Sequence, residues 1–303
     1  APSEPSMGEN IRIRLRTAKD DVEKVFLINY EDGEPLEMPM KKVCCNRYFD
    51  YYEINIILDR EELLYVFKLE NGEEMLYYDK LGAGTEIRNA YFFRLIAGYK
   101  TPDWAKGAIM YQIFVDRFCR GDEKNDVLDD EYIYIDIPTR HISDWHEYPS
   151  AFDVGYFYGG DLQGVLNKLD YLEELGVEAI YFNPLFVSPS NHKYDAQDYN
   201  YIDPHLTVLK SSTEKSVLSD GNDKALSYIE RTAKAENLEA SNKFFADFVA
   251  YAHSLNIKII LDGVFNHCGS FHRWLDREKI YSNANALYGE QYPTGAFLSK
   301  ESP

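Results

Sequence analysis

The 303-residue sequence has few cysteines, no long apolar run and no excess of basic residues. Its four cysteines include no Cys-x-x-Cys pair, which argues against a structural zinc site and favours free thiols. No apolar stretch reaches the roughly 18 residues of a membrane-spanning helix. The 51 acidic residues outnumber 32 lysines and arginines, and the net charge of −19 argues against nucleic acid or anionic lipid as a partner. Without a basic-then-apolar leader, the sequence predicts a cytoplasmic protein, or one whose signal peptide has been removed.

Aromatic residues, by contrast, are abundant, with 25 tyrosines, 17 phenylalanines and 3 tryptophans. Tyrosine combines an apolar ring face with a hydroxyl group, and sugar-binding surfaces use that combination. The same composition is typical of β-rich domains, so it does not by itself indicate a carbohydrate ligand.

The first hundred residues have the pattern of an all-β domain. Ile11 to Arg16 alternates apolar and basic residues, as a half-buried strand does, and Asn71-Gly72 is a hairpin signal. We therefore predict a flexible tail over 1–9 and a β-sandwich over 10–102. Further short apolar runs support this prediction at 25–28, 51–58, 64–69, 75–78 and 91–96.

Residues 103–303 change to strands that alternate with helices. Leucines and valines at three- and four-residue spacing predict a helix with Asp161 as its N-cap and Gly176 just beyond its end. A second helix is predicted from about Ser241, whereas the polar segment 208–240 is typical of a surface insertion. Alternation of this kind predicts parallel pairing of the strands. The continuous apolar strands are predicted at 108–114, 177–182 and 257–261.

Polar side chains follow two of these predicted strands. Asp262, Asn266 and His267 come directly after the third strand, and His192 and Tyr194 lie in the loop after the second. In parallel α/β folds, catalytic and binding groups collect at the carboxyl ends of strands. The alternatives are a capping aspartate and an ordinary connecting loop.

A second group of polar residues surrounds residues 122–126. Asp122, Asn125 and Asp126, with Asp161 later in the chain, carry oxygen ligands of the kind that calcium prefers. Surface loops rich in aspartate are also common where no metal binds.

Four segments together resemble the alpha-amylase family of glycoside hydrolases, and within it the neopullulanase, cyclomaltodextrinase and maltogenic amylase branch. They are 110–118 (MYQIFVDRF), 157–164 (FYGGDLQG), 181–199 and 262–267 (DGVFNH). The resemblance implies a multidomain fold, in which a starch-binding-like β-sandwich precedes a (β/α)8 TIM barrel. Residues 103–303 would then hold only β/α units 1–3 and the start of the loop domain after the third strand.

The resemblance also implies retaining hydrolysis of an α-glucan such as starch, a maltooligosaccharide, cyclodextrin or pullulan. His192, Tyr194, Asp262 and His267 resemble the family's substrate-binding residues, with the ring of Tyr194 stacked on a sugar. Members of this branch often dimerise through the N-terminal domain, which leaves a homodimer open here. The residues that resemble the branch's calcium site are Asp122, Asn125, Asp126, Gly159 (by its carbonyl), Asp161 and Asn266.

The sequence departs from the family pattern in two ways. Arg120 stands where the branch usually has asparagine, and because a guanidinium is no metal ligand, Arg120 puts calcium in doubt and offers an electrostatic substitute. The chain also has no Gly-x-Arg-x-Asp segment, so we expect no catalytic residue within it, and we expect the nucleophile and acid/base beyond Pro303. Three β/α units do not close a barrel. We expect an incomplete hydrolase that is inactive alone; the alternatives are a non-catalytic carbohydrate-binding or structural protein and one half of a two-chain enzyme.

Overall fold

The computed structural model describes residues 1–31, 34–212 and 221–294, and the chain divides into two compact units, Ala1–Lys106 and Gly107–Pro303. The described part of the first unit consists of strands and short turns. Its strands are β1 (Asn10–Ala18), β2 (Lys24–Glu31), β3 (Glu34–Pro39), β4 (Lys41–Cys45), β5 (Phe49–Ile57), β6 (Glu62–Asn71), β7 (Glu74–Asp79), β8 (Gly82–Gly84) and β9 (Phe93–Ile96).

These strands form two antiparallel sheets around one core, which confirms the predicted sandwich. One sheet has the order β1-β5-β4, and the other has the order β3-β2-β6-β7-β8, with β9 paired to β6. The alternating residues of β1 bury Ile11, Ile13 and Leu15, which pack in one cluster with Leu27 and Phe67 of the other sheet. Burial of alternate side chains from both sheets is what holds a sandwich together.

The sequence patterns did not predict β3, β4 or β8. Strands β3 and β4 lie at the ends of their sheets, and their side chains are almost all exposed. An edge strand that packs few side chains inward carries no periodic apolar signal.

The first nine residues, which we expected to form a flexible tail, lie against the sandwich. The amide of Gly8 donates to the carbonyl of Leu58 at 2.7 Å, and the amide of Gly98 donates to the carbonyl of Pro5 at 2.8 Å. Glu4 accepts from the amide of Thr101 at 3.0 Å. Backbone hydrogen bonds of this kind leave no apolar pattern in a sequence, which is why composition alone suggested a tail.

The described part of the second unit mixes short strands with helices. Its strands are β10 (Met110–Ile113), β11 (Ile133–Tyr134), β12 (Ile137–Pro138), β13 (Arg140–His141), β14 (Tyr156–Phe157), β15 (Ala179–Phe182), β16 (Phe186–Val187), β17 (Asp198–Ile202) and β18 (Lys258–Leu261). Its helices are α1 (Leu162–Leu166), α2 (Leu169–Glu174), α3 (Leu226–Ala233), α4 (Ala235–Ser254) and α5 (Ile280–Tyr288).

The three predicted apolar strands form one parallel sheet with β15 in the centre. Met110 pairs with Ala179 on one side of β15, and Phe182 pairs with Leu261 on the other. The order β10-β15-β18 confirms a partial barrel of three β/α units in the described residues. In the described ranges, no helix combines the length and the apolar character needed to cross a membrane.

The helix predicted over 162–175 is divided into α1 and α2 at Asn167 and Lys168. Both parts keep their apolar side chains in one core: Leu162, Val165 and Leu169 are fully buried with Phe182 and Phe248. The spacing of the leucines therefore identified the buried face correctly, although the backbone bends between α1 and α2.

Segment 208–240 is not a surface insertion in its described part; residues 213–220 lie outside the described residues. Helix α3 is almost entirely buried, and Tyr228 and Ile229 have no exposed surface. Its polar groups bind other buried groups, since the hydroxyl of Tyr228 donates to Oε1 of Gln197 at 2.6 Å. The polar composition was misleading because buried polar side chains are stable when they are hydrogen-bonded.

Two glycines allow the loop after β10 to pack against the start of α1. A Cβ atom on Gly164 would lie 1.9 Å from the carbonyl oxygen of Cys119, and one on Gly160 would lie 2.0 Å from that of Val115. No side chain fits at such distances. Glycine is therefore required at positions 160 and 164.

We predict that Gly164→Ala lowers the free energy of unfolding by about 3 kcal/mol or more, because the clash is with backbone atoms that cannot rotate away. Urea unfolding followed by tryptophan fluorescence measures the change. Gly155→Ala is the matched control, since a Cβ atom there meets no atom within 4 Å. Equal stability of the two variants would contradict the packing described here.

Candidate functional site

The polar residues that follow β15 and β18 meet at the carboxyl edge of the parallel sheet. The hydroxyl of Tyr194 donates to Oδ2 of Asp262 at 2.9 Å, and Nε2 of His267 lies 3.1 Å from the carbonyl oxygen of Tyr194. Residues 68 and 73 positions apart are thus joined directly. The structure brings these three predicted site residues together.

Asp262 accepts a hydrogen bond from Tyr194, and it also affects a second tyrosine, Tyr181, which the sequence patterns did not single out. Burial first, and then the bond to Asp262, raise the pKa of Tyr194 to about 12. Burial first, and then the nearby carboxylate of Asp262, also raise the pKa of Tyr181, which lies in β15. Both phenols are therefore neutral donors near neutral pH. Tyr181 belonged to a buried strand in the sequence, and no signal separated it from the core.

His267 has a partner on each ring nitrogen. Nδ2 of Asn266 lies 2.7 Å from Nδ1, and Nε2 faces the carbonyl of Tyr194. In the arrangement that satisfies both contacts, Asn266 donates to Nδ1 and the Nε2–H donates to the carbonyl. The structure thus places Asn266 beside His267, although we had grouped Asn266 with the candidate metal ligands.

His192 lies next to Tyr194 with its ring partly buried. Its Nδ1 accepts from the amide of Tyr194 at 3.1 Å and lies 3.2 Å from Oγ of Ser190. Burial lowers the pKa of His192. The ring is therefore a neutral imidazole whose centroid is 6.0 Å from that of Tyr194.

The loop that carries His192 and Tyr194 is anchored at several buried points. Oγ of Ser188 donates to Oδ1 of Asp195 at 2.6 Å, and Ser190 donates to the same oxygen. Nδ2 of Asn191 donates to the carbonyls of Asp153 and Tyr156 at 2.8 and 2.9 Å. These contacts fix the loop before any ligand binds.

Asp161 uses both carboxylate oxygens to bind the protein itself. Oδ1 accepts from the amides of Gly164 at 2.6 Å and Gly121 at 3.1 Å, which makes Asp161 the predicted N-cap of α1. Oδ2 accepts from the amide of Asp122 at 2.7 Å and from Nδ2 of Asn125 at 3.2 Å. Burial raises the pKa of Asp161. Four donors leave this carboxylate little capacity for a metal ion.

The neighbouring carboxylate of Asp126 is bound by Arg120. The guanidinium donates to both oxygens of Asp126, from Nη2 to Oδ2 and from Nε to Oδ1 at 3.3 Å, and it also lies 3.3 Å from Glu123. The backbone of Gly159 is close by, since a Cβ atom there would lie 2.4 Å from Oδ1 of Asp126. A positive charge therefore already occupies the acidic face of this loop.

These residues do not fit a calcium ion in this arrangement. Calcium requires six to eight oxygen ligands. Oδ1 of Asn125 is buried without a donor, but the carboxylates of Asp126 and Asp161 are already bound by Arg120 and by backbone amides. Over the ranges 1–31, 34–212 and 221–294, no group of three or more histidine, cysteine, aspartate or glutamate side chains is placed to hold a metal.

A buried network of five ionisable residues lies behind the site, and no sequence pattern indicated it. Nζ of Lys193 is 2.7 Å from Asp203, His205 bridges Asp203 at 2.9 Å and Glu131 at 3.0 Å, and Arg231 lies 3.1 Å from Glu131. Burial opposes ionisation of both acids, but the positive charges around them bring the pKa values of Asp203 and Glu131 below their ordinary values. Burial likewise opposes protonation of His205, but Glu131 and Asp203 raise its pKa.

His272 packs against two aromatic rings next to the site. Its ring lies 5.4 Å from that of Tyr199 and 4.2 Å from that of Trp274, and the hydroxyl of Tyr199 donates to the carbonyl of His267 at 2.5 Å. Burial first, and then the charge of Arg273, lower the pKa of His272 to about 4. His272 is therefore a neutral ring in the folded protein at neutral pH.

Comparison with known proteins finds a family match for each of the two units. Residues 5–97 match the alpha amylase N-terminal Ig-like domain family, and residues 112–212 match the alpha amylase catalytic domain family. The chain is 33% identical to an amylopullulanase of Thermoanaerobacter thermohydrosulfuricus over 92% of this chain and 18% of that protein. It is 35% identical to neopullulanase 2 of Thermoactinomyces vulgaris over 88% of this chain and 39% of that protein.

Among solved structures, the type III pullulan hydrolase from Thermococcus kodakarensis superposes with a TM-score of 0.50 at 22% identity. That match covers 97% of this chain and 44% of the other, and at this identity it shows similarity of fold alone. The chain spans less than half the length of each of these three proteins.

We predict that the stability of the protein falls as the pH is lowered from about 6.5 to about 4, in part through His272. The folded pKa is depressed, so the unfolded chain binds this proton first, and stability is complete only above the unfolded pKa. His272→Gln should therefore flatten the dependence of unfolding free energy on pH in this window, as measured by urea unfolding at several pH values. His253→Gln, which replaces an exposed histidine of α4, is the control. Identical slopes for the two variants would contradict the prediction.

Proposed function

We infer, because residues 5–97 and 112–212 match the alpha amylase N-terminal and catalytic domain families, that the chain supplies the substrate-binding part of a retaining α-glucan hydrolase. The observation that carries this inference is the meeting of Tyr194, Asp262 and His267 at the carboxyl edge of the parallel sheet. The edge of such a sheet is where this kind of fold binds its ligands.

The chemistry of these side chains suits a neutral sugar. The ring of Tyr194 is 36% exposed and offers an apolar face to the C–H face of a glucose ring. Asp262 accepts hydrogen bonds from sugar hydroxyl groups. The imidazoles of His192 and His267 form hydrogen bonds with sugar hydroxyl groups in place of their present protein partners. Because an α-glucan is uncharged, the net charge of −19 does not repel it.

We propose that neither catalytic carboxylate lies within these 303 residues. A retaining glycosidase uses two carboxyl groups about 5–5.5 Å apart, one as nucleophile and one as acid/base. Asp262 already accepts a hydrogen bond from Tyr194, which suits an acceptor that orients a sugar rather than a nucleophile. The absence of a Gly-x-Arg-x-Asp segment from the sequence supports the same proposal.

We predict that the 303-residue chain binds maltotriose but releases no reducing sugar from starch, pullulan or cyclodextrin. Tyr194→Ala should raise the Kd for maltotriose about tenfold, since it removes both the stacking surface and the donor to Asp262. Calorimetric titration measures the affinity. Tyr148→Ala, which removes a tyrosine that is 93% exposed, is the matched control.

Different results would contradict the two parts of this proposal. Release of reducing sugar by the 303-residue chain would contradict the placement of the carboxylates outside it. Failure of the unaltered chain to bind maltotriose would contradict the binding site. Binding without hydrolysis by the product of the whole reading frame would favour a carbohydrate-binding protein instead.

We also propose that Arg120 takes the place of a calcium ion in the loop of residues 120–126. Its guanidinium already pairs with both Asp126 and Glu123, and Asp161 is satisfied by backbone amides. Arginine presents several donors in a fixed plane, so it can hold two acidic side chains as a bound cation would.

We expect the midpoint of thermal unfolding to change by less than about 1 °C on addition of EDTA or calcium chloride. Arg120→Asn should lower the free energy of unfolding by about 1–3 kcal/mol, because it leaves the nearly buried Asp126 without its partner. That variant should regain stability with calcium. Arg140→Asn, which breaks an exposed pair with Glu147, is the control. A fall in the midpoint of the unaltered protein in EDTA would contradict the proposal.

A further inference from the structure

Three consecutive residues of the loop after β15 have different environments. The central residue, Lys193, has only 3% of its side chain exposed, whereas Tyr194 contacts Asp262 and His192 contacts the amide of Tyr194. The backbone of Lys193 has φ +61°, a left-handed conformation that non-glycine residues rarely adopt. This turn separates the buried amine from the two flanking rings.

The amine of Lys193 is satisfied by two buried acceptors. Nζ donates to Oδ2 of Asp203 at 2.7 Å and to the carbonyl of Ser188 at 2.8 Å. Asp203 is itself fixed, since its Oδ2 accepts from the amide of Ser188 at 3.1 Å and its Oδ1 accepts from the amide of His205 at 2.9 Å. An ammonium group removed from water must keep such partners, because an unpaired buried charge is strongly unfavourable. The position of Lys193 is therefore determined from within the protein.

We propose that Lys193 is a positioning residue for the α-glucan site, and that its buried bond to Asp203 holds the rings of His192 and Tyr194 where a sugar meets them. This inference rests on the proposed function. The left-handed backbone at Lys193 leaves little freedom: if the amine loses its anchor, the turn relaxes and the flanking rings move with it. Tyr194 then no longer meets Asp262 at hydrogen-bond distance.

The opposite end of the same network provides a control for mere loss of stability. Arg231 of α3 pairs with Glu131 at 3.1 Å and donates to the carbonyl of Asp126 at 2.8 Å. It is as buried as Lys193, at 5% against 3% of the side chain exposed. Arg231 belongs to the network through Glu131 and His205, so its removal tests stability without removing the anchor of the turn.

The experiment compares Lys193→Met, Lys193→Arg and Arg231→Met in the 303-residue chain, with maltotriose as the probe. Trimethylamine N-oxide is added throughout, because this excluded osmolyte favours the folded state. Each variant is characterised by its thermal midpoint and by its Kd from calorimetric titration. We expect both methionine variants to lose thermal stability, and Lys193→Met alone to raise the Kd, by about tenfold or more. Lys193→Arg, which keeps a cation at Asp203, should restore most of the affinity.

Several results would overturn the inference. A Kd for Lys193→Met within twofold of the unaltered chain would show that the anchor does not set the ring positions. An equal rise in Kd for Arg231→Met would show that the effect is general destabilisation. If Lys193→Met does not fold, Asp203→Asn replaces it, and an unchanged Kd for that variant would also overturn the proposal. Failure of the unaltered chain to bind maltotriose would remove the proposed function, and this inference with it.

Discussion

Parallel hydrogen bonding between β15 and its two neighbours sets the position of the candidate site. Residues 179–182 pair in register with 110–113 on one side and 258–261 on the other, so all three strands end at the same edge. The loop to Tyr194 and the segment from Asp262 to His267 then begin side by side, although nearly 70 residues separate them in sequence. A shift of one residue in this register would turn every side chain of the shifted strand to the opposite face of the sheet and separate the two groups.

The features that sequence predicted are those that leave a periodic or positional signal. The alternation of β1, the leucine spacing of α1 and α2, and the polar residues after β15 and β18 each follow from which side chains must be buried or from where parallel strands end. The features that it missed depend on partners far away in the chain. Lys193 and Asp203 are ordinary charged residues in the sequence, and only the fold shows that they are buried together. Likewise, α3 is polar in composition and becomes part of the core because Gln197 and Glu131 meet its side chains.

In this acidic chain, several positively charged side chains pair with acidic groups inside the second unit. The excess of carboxylates gives a net charge of −19, yet Arg120, Lys193 and Arg231 each point at acidic groups inside the second unit. Such buried pairs add little net stability compared with apolar packing, but they tolerate few alternative arrangements. They thus suit a place where loops must adopt one geometry. The pairing of Arg120 with Asp126 in an acidic loop follows the same pattern, since a cation that belongs to the chain folds with it.

The anchoring of the loop between Ser188 and Asp195 has a kinetic consequence. Its hydroxyl, amide and ammonium groups are bonded inside the protein without a ligand, through Asp195, Asp153 and Asp203. The entropy of ordering this segment is therefore lost when the chain folds and does not reduce the affinity for an incoming molecule. The observed rate of association should therefore depend on ligand concentration alone, as it does in single-step binding. No slow closing phase should follow the first contact. Differences in affinity among related ligands would accordingly arise from how quickly each one leaves.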